Sequence, residues 1–335
     1  MLNRINIMQT PKVSVIVPIY NVSKYIERCA RSLFDQTLLE IEYIFVDDCS
    51  PDNSIEILKS IISQYPQRVH QIKIVKHEIN MGLASARNTG LKEATGSYVV
   101  HCDSDDWVDV EMYEIMYMTA VQTNSDIVGC DYFMHFKDYN IRCEAISENN
   151  DKNTFLKTYI SYNWSVIWNL MVRREIYVNN EVWEYPGLNF GEDYGLSVRL
   201  MYYANKYLRI NRPLYHYNRE NNDSIVHNAN TIANIKKTTE SLVNIYDNIS
   251  NFFKEKGMYE ILLEQLSWRM LSGKRGWLYI TEQHEIYRTL YPESNRFINS
   301  NPFCSKKDKF CQKIILIPAL SWLLKLVKIV DTLIK

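Results

Sequence analysis

Apolar residues gather in short unbroken runs along the first third of the chain, at residues 13–17 (VSVIV), 41–46 (IEYIFV), 72–75 and 98–101. Each run has the length of a strand, and near-continuous apolarity marks strands buried on both faces of a parallel sheet. Between the runs the period changes. Ile26, Cys29, Ala30, Leu33 and Phe34 recur at helical spacing after Ser23, a candidate N-cap, and further helices are predicted over 54–65 and 83–94, the last stopped by Gly96. This alternation predicts βαβ units, four or five strands and an α/β fold built on a mostly parallel sheet. Polar or acidic residues follow three of the runs: 18–22, Asp47-Asp48 and Asp103-Ser104-Asp105-Asp106. They stand at the carboxyl edge, where open α/β sheets bind ligands. From 151 to 217 the pattern is mixed, with clustered aromatics (Tyr159, Tyr162, Trp164, Trp168, Trp183, Tyr185) and a helix expected after Gly191; from about 228 to 291 it is helical.

A length of 335 residues exceeds one average domain of about 150 residues. The expected division is an α/β domain over 1–225 and a helical region over 226–335. With 38 basic against 39 acidic residues the net charge is −1, so nothing global attracts nucleic acid. The seven cysteines are scattered and never spaced CxxC, which argues against a disulfide framework and a zinc site and for a reducing compartment. The first ten residues lack the apolar core of a signal peptide, so a cytoplasmic setting is expected.

Asp103 and Asp105 are two hard carboxylates two residues apart beyond a strand, a set suited to Mg²⁺ or Mn²⁺ gripping a diphosphate. The same acids, with Asp106, also fit the cap of a helix predicted near 110–121. Glu192-Asp193 follows Phe190-Gly191 and reads either as a catalytic acid pair or as two acids favouring a helix dipole. Asp47 and Asp48 can likewise be a solvated turn before Ser50-Pro51. His216, flanked by Tyr215 and Tyr217, is a packed histidine or a metal ligand. No G-x-G-x-x-G follows the first strand, which excludes a dinucleotide-binding fingerprint.

Taken together, VSVIVPIYNVSKYI, FVDDCSPDNS, NMGLASARNTGLKEATGSYVVHCDSDDWV and FGEDYGL resemble, in order and spacing, the motifs of family 2 glycosyltransferases with the GT-A fold. The resemblance covers residues 12–223. It implies transfer of a sugar from a nucleotide diphosphate donor, a UDP-sugar foremost, to an acceptor hydroxyl with inversion. It implies that Pro18, Tyr20 and Asn21 border the nucleoside, that Asp48 hydrogen-bonds the base, and that Arg87, Asp103 and Ser104 lie at the nucleotide. By the same resemblance Asp103 and Asp105 hold Mn²⁺ or Mg²⁺, with His216 as a further ligand, and Asp193, beside Glu192, takes the proton from the acceptor. A polyprenyl-phosphate acceptor and a catalytically silent scaffold are the rival readings. The aromatics Trp164, Trp168, Trp183 and Tyr185 either stack on an acceptor sugar or pack in the core.

The final stretch, residues 313–335, collects Lys313, Ser321, Lys325, Lys328, Asp331, Thr332 and Lys335 within an arc of about 120° of a helical wheel. The rest of that surface is apolar. From Lys306 onward seven lysines stand against two aspartates, a net charge of +5. This is the pattern of a helix lying on an anionic membrane surface rather than crossing it, and equally of a helix docked on its own protein or on a second subunit. A membrane setting implies a peripheral enzyme at the inner face of the plasma membrane and a lipid-linked saccharide acceptor in surface polysaccharide synthesis.

Overall fold

β1 (Val13–Ile19) is wholly buried, as an unbroken apolar run requires, and it pairs in parallel with β2 (Ile41–Asp47) on one side and β4 (Tyr98–His101) on the other. The computed structural model describes residues 10–162, 165–221, 232–320 and 322–324, and these fall into two compact units. The first comprises Met1–Asn149, Val166–Asn189 and Arg199–Asn221; the second comprises Asn150–Ser165, Phe190–Val198 and Asn222–Lys335.

In the first unit one mixed sheet runs β3-β2-β1-β4-β8-β6-β9-β5, with β7 (Asn140–Cys143) added to β6. β3 (Ile72–Lys76) completes the parallel half. Beyond β4 the expected parallel order ends: β8 (Leu170–Arg173) is antiparallel to β4, β6 (Ile127–His135) is antiparallel to β8, and β9 (Tyr207–Asn218) is parallel to β6. A two-residue strand, β5 (Trp107–Val108), closes the edge on β9. The chain leaves β1 towards β2 and β3 and returns past β1 to form β4. The carboxyl ends of β1 and β4 therefore flank a topological switch point, the place where such sheets open a crevice.

Helices α1 (Ile26–Phe34), α2 (Ser54–Ser63), α3 (Leu83–Glu93), α4 (Met112–Thr123) and α6 (Arg174–Asn179) belong to this unit. α1 buries Ile26, Cys29, Ala30, Leu33 and Phe34, the predicted face, and Phe34 meets the Tyr43 ring edge-on at 5.4 Å. Burying one such phenylalanine contributes roughly 1.5–3 kcal/mol. Ser23 does not cap α1. The helix starts three residues later, after Tyr25, and the Ser23 amide donates to the Asp52 carboxylate at 2.8 Å.

The second unit is helical. It takes α5 (Lys152–Ser161) and the first half of α7 (Glu192–Tyr203) from within the first 225 residues, together with helices Ile232–Glu255, Tyr259–Gly273, His284–Thr289 and Lys306–Ile315. The reason is local. Arg269, buried on the helix Tyr259–Gly273, donates from Nε to the Ile160 carbonyl at the end of α5 (2.8 Å) and lies 4.5 Å from the Tyr194 ring of α7. The Ile160 and Tyr162 carbonyls and the rings of Tyr194 and Phe303 are thereby tied to one guanidinium.

Candidate active site

The loops after β1 and β2 are held against each other. Asn21, at a left-handed φ of 54°, donates its amide to Ser50 Oγ at 2.9 Å, and the Asp52 carboxylate gathers the Ser23 amide and the hydroxyls of Ser50 and Ser54. These donors hold the Asp52 pKa well below the ordinary carboxylate range, against the opposing effect of burial. Pro18 is buried as the penultimate residue of β1, and Tyr20 stands 48% exposed at its end. An exposed ring at a strand end is a flat apolar surface available for stacking.

Asp48 is buried, and its carboxylate accepts from three donors. Oδ1 receives His77 Nδ1 at 2.7 Å and the Met81 amide at 2.8 Å, and Oδ2 receives the Gly82 amide at 2.8 Å. A carboxylate only accepts, so Nδ1 of His77 carries a proton, and Nε2 lies 2.9 Å from the Thr89 hydroxyl. One lone pair of Oδ2 is left for a further donor. Gly82, at φ +85°, turns the chain into α3, and a Cβ added there would lie 2.6 Å from Asn189 Nδ2.

The acidic segment 103–106 leaves β4 in a tight turn closed by the Asp106 amide on the Asp103 carbonyl at 3.1 Å. Asp103 is partly exposed; Arg87, 1% exposed on α3, donates from one terminal nitrogen to Asp103 Oδ1 at 2.9 Å and from the other to Glu184 Oε1 at 3.4 Å. Ser104 is buried. Asp105 accepts from Asn221 Nδ2 at 2.7 Å; burial first, and then the Asp103 charge, push its pKa up to about 6. Two carboxylates placed side by side beyond the strand, each with hard oxygen donors, are chemically suited to a divalent cation. Among the described residues no three His, Cys, Asp or Glu side chains converge as a ready-made metal site, so diphosphate oxygens and water would complete such a shell. Asp106 plays another part. It is fully buried and accepts from the Tyr215 hydroxyl at 2.6 Å and the Asn218 amide at 2.7 Å, with its pKa driven well up by burial and by Asp105 and Asp103. The Tyr215 hydroxyl also accepts from the Asp103 amide at 3.2 Å, so β9 braces the acidic turn.

His216 does not join the acids. Successive residues of a strand face opposite ways. Tyr215 reaches Asp106, whereas His216 stacks on Trp107 at 5.1 Å, and its nitrogens meet Asp109 Oδ1 and His135 Nε2, both at 2.9 Å. Both ring nitrogens of His216 are thus engaged by neighbouring side chains. Trp168 is likewise a core residue, stacked on Tyr215 at 4.2 Å. Tyr185 lies under Arg199, whose guanidinium is 3.9 Å from its ring, and Trp183 is half-buried; Trp164 lies outside the described residues.

In the second unit Glu192 and Asp193 occupy the first turn of α7. Gly191 enters that turn at φ +84°, a left-handed conformation in which a side chain would also meet Leu242 at 2.8 Å, and the Ser241 hydroxyl holds the Phe190 carbonyl at 2.9 Å. Glu184, Asn88, Tyr215, Asn218 and Asn221 are site residues that the sequence pattern did not reveal. Glu184 could have been suspected as an acid set between Trp183 and Tyr185; the other four carry no such signal.

Residues 14–177 match the profile of glycosyl transferase family 2. The chain is 34% identical over 226 residues to the glycosyltransferase EpsJ of Bacillus subtilis, covering 64% of this chain and 63% of EpsJ. It is 30% identical over 267 residues to the glycosyltransferase EpsH of the same organism, covering 77% of this chain and 74% of EpsH. The chain thus spans less than two thirds of EpsJ but most of EpsH. Among solved structures, residues 1–349 of S. aureus TarS in complex with UDP-GlcNAc align at a TM-score of 0.68 with 20% identity, covering 91% of this chain and 90% of that one, a likeness of fold. Glycosyltransferase motifs at the strand ends, a GT-A sheet beneath them and relatives aligned across most of the chain lead to one statement: the chain belongs to glycosyl transferase family 2.

Proposed function

We propose that the protein transfers a sugar from a UDP-sugar to a hydroxyl of a saccharide acceptor with inversion of configuration. The observation that carries this reading is the carboxylate pair Asp103 and Asp105 at the carboxyl end of β4, with Arg87 fixed on Asp103. The pair would hold Mg²⁺ or Mn²⁺, which supplies Lewis-acid stabilisation of the charge that builds on a departing diphosphate. The other duties fall to the chain itself. Arg87 keeps Asp103 oriented, Tyr215 keeps the turn from unwinding, and Tyr20, Asn21 and Asp48 border the crevice at the ends of β1 and β2. Inversion needs one base to accept the proton of the attacking hydroxyl, and Asp193 takes that part, with Glu192 beside it in the positive end of the α7 dipole. The UDP preference is supported by the TarS complex with UDP-GlcNAc and by the spare acceptor on Asp48.

We infer in addition a peripheral membrane contact through the C-terminal segment, which fits a lipid-linked acceptor. Helix Lys306–Ile315 buries Cys311, Gln312, Ile314 and Ile315 in its own unit, yet Phe310, Ile317, Leu320 and Trp322 are exposed near the lysines 306, 307, 309 and 313. Residues 325–335, which complete the predicted amphipathic stretch, lie outside the described residues. Among the described residues no helix is long and apolar enough to cross a membrane. The test of the catalytic reading is Mn²⁺-dependent hydrolysis across a panel of UDP-sugars and GDP-mannose. Turnover of a UDP-sugar that vanishes in Asp105→Ala supports it, and a metal-independent rate untouched by that change refutes it. Deleting residues 310–335 should release the protein from anionic vesicles, and unchanged partitioning would remove the membrane contact.

A further inference from the structure

Glu184 is an acid in an improbable place. It is 3% exposed, in a segment between Val182 and Asn189 that has no regular secondary structure, and acids so deeply buried are rare unless paired. Its partner is Arg87, at 3.4 Å, whose other terminal nitrogen holds Asp103 at 2.9 Å. Glu184 is in turn located by Asn88, the next residue of α3. The Asn88 side-chain amide donates to the Glu184 carbonyl at 2.9 Å, and its oxygen accepts the Glu184 amide at 2.8 Å, a reciprocal pair that imitates strand pairing. Asn189 Oδ1 then accepts the Ala84 amide at 3.3 Å, so the segment is fastened along α3 at both ends.

One guanidinium thus serves at least these two carboxylates, and of the two Asp103 is the one with access to solvent. An arginine confined to Asp103 alone would neutralise that carboxylate and repel a dication arriving beside it. A second buried acid shares the positive charge and leaves Asp103 electron-rich on its open side. We propose that Glu184, held by Asn88, is a positioning residue for the divalent cation: as the second counter-ion of Arg87 it leaves the Asp103 carboxylate negative towards the metal. This rests on the metal reading above, and partners of this outer kind commonly set metal affinity.

The experiment uses the full chain and titrates Mn²⁺ in the presence of UDP, with free Mn²⁺ followed by electron paramagnetic resonance. Glu184→Gln removes the charge and keeps the shape, and its Mn²⁺ affinity should fall by about 10–100-fold, the usual cost of losing an outer-shell partner. Asn88→Ala, which displaces Glu184 without leaving Arg87 a lone buried cation, should move the affinity in the same direction, and Glu184→Asp should recover part of it. Turnover of Glu184→Gln with a UDP-sugar should return towards the wild-type kcat as Mn²⁺ is raised, because only the concentration needed for half-activity has changed. Mn²⁺ affinity unchanged in both Glu184→Gln and Asn88→Ala overturns the inference, as does a kcat that stays depressed at every Mn²⁺ concentration. Asp105→Ala separates the two layers. If it binds Mn²⁺ as well as the wild type, the metal reading itself fails; if it loses Mn²⁺ while Glu184→Gln does not, only the role of Glu184 fails.

Discussion

Replacing Tyr215 with phenylalanine removes one oxygen from the most constrained point of the site. The ring stays stacked on Trp168 at 4.2 Å, so packing is preserved and the hydroxyl alone is tested. That hydroxyl donates to Asp106 Oδ2 at 2.6 Å and accepts from the Asp103 amide at 3.2 Å. Asp106 is 0% exposed, so its oxygen cannot turn to water, whereas the Asp103 amide is only part-buried. A buried polar group left without its partner costs about 1–3 kcal/mol, more when charged, so the two losses sum to roughly 2–4 kcal/mol. At about 2.1 cal/mol/K of unfolding entropy per residue, a chain of 335 residues shifts by about 1.4 °C per kcal/mol, so Tm should fall by roughly 3–6 °C. Calorimetry of Tyr215→Phe, with and without UDP and Mn²⁺, measures the shift. A Tm within about 1 °C of wild type would mean that β9 does not brace the acidic turn, and the reasoning from burial would be wrong.

Three further outcomes are expected. Asp193→Asn should lower kcat by about 10²–10⁴ while UDP binding by calorimetry is unchanged, and a loss under tenfold would remove Asp193 from the role of base. Lys274 is buried with its ammonium on the Tyr287 and Leu290 carbonyls, and burial brings its pKa down to about 7 from 10.5. Between those values the unfolded chain holds a proton that the folded one lacks, so stability rises with pH by at most about 1.4 kcal/mol per unit from pH 7 upward; Lys274→Met should flatten that slope in denaturant titrations at pH 7 and 9, and an unaltered slope would exonerate Lys274. Gly82→Ala forces a side chain into φ +85° against Asn189, which should destabilise the protein by about 1–3 kcal/mol in thermal unfolding.

What could be read in advance follows from which interactions are local. β1, β2 and β4 announce themselves because burial on both faces demands unbroken apolar runs, and the acids beyond them mark the carboxyl edge. The antiparallel insertion of β8 between β4 and β6 is not written in any local period, since four residues of apolar strand pair equally well in either direction. The same limit hid Glu184, whose partner Arg87 lies 97 residues away in sequence. The surroundings of His216 were hidden for a different reason. Its sequence neighbours Tyr215 and Tyr217 belong to the face that supports the acids, and strand alternation puts the histidine on the other.

The account stands on a cation held by the acids that follow β4. A crystal of the full chain grown with UDP and Mn²⁺, with anomalous scattering recorded at the manganese edge, addresses this directly. A peak about 2.0–2.3 Å from oxygens of Asp105 and the diphosphate, with Asp103 still on Arg87, is the predicted result. Nucleotide bound in the crevice with no anomalous peak, and with Asp103 and Asp105 turned away from the diphosphate, would contradict it.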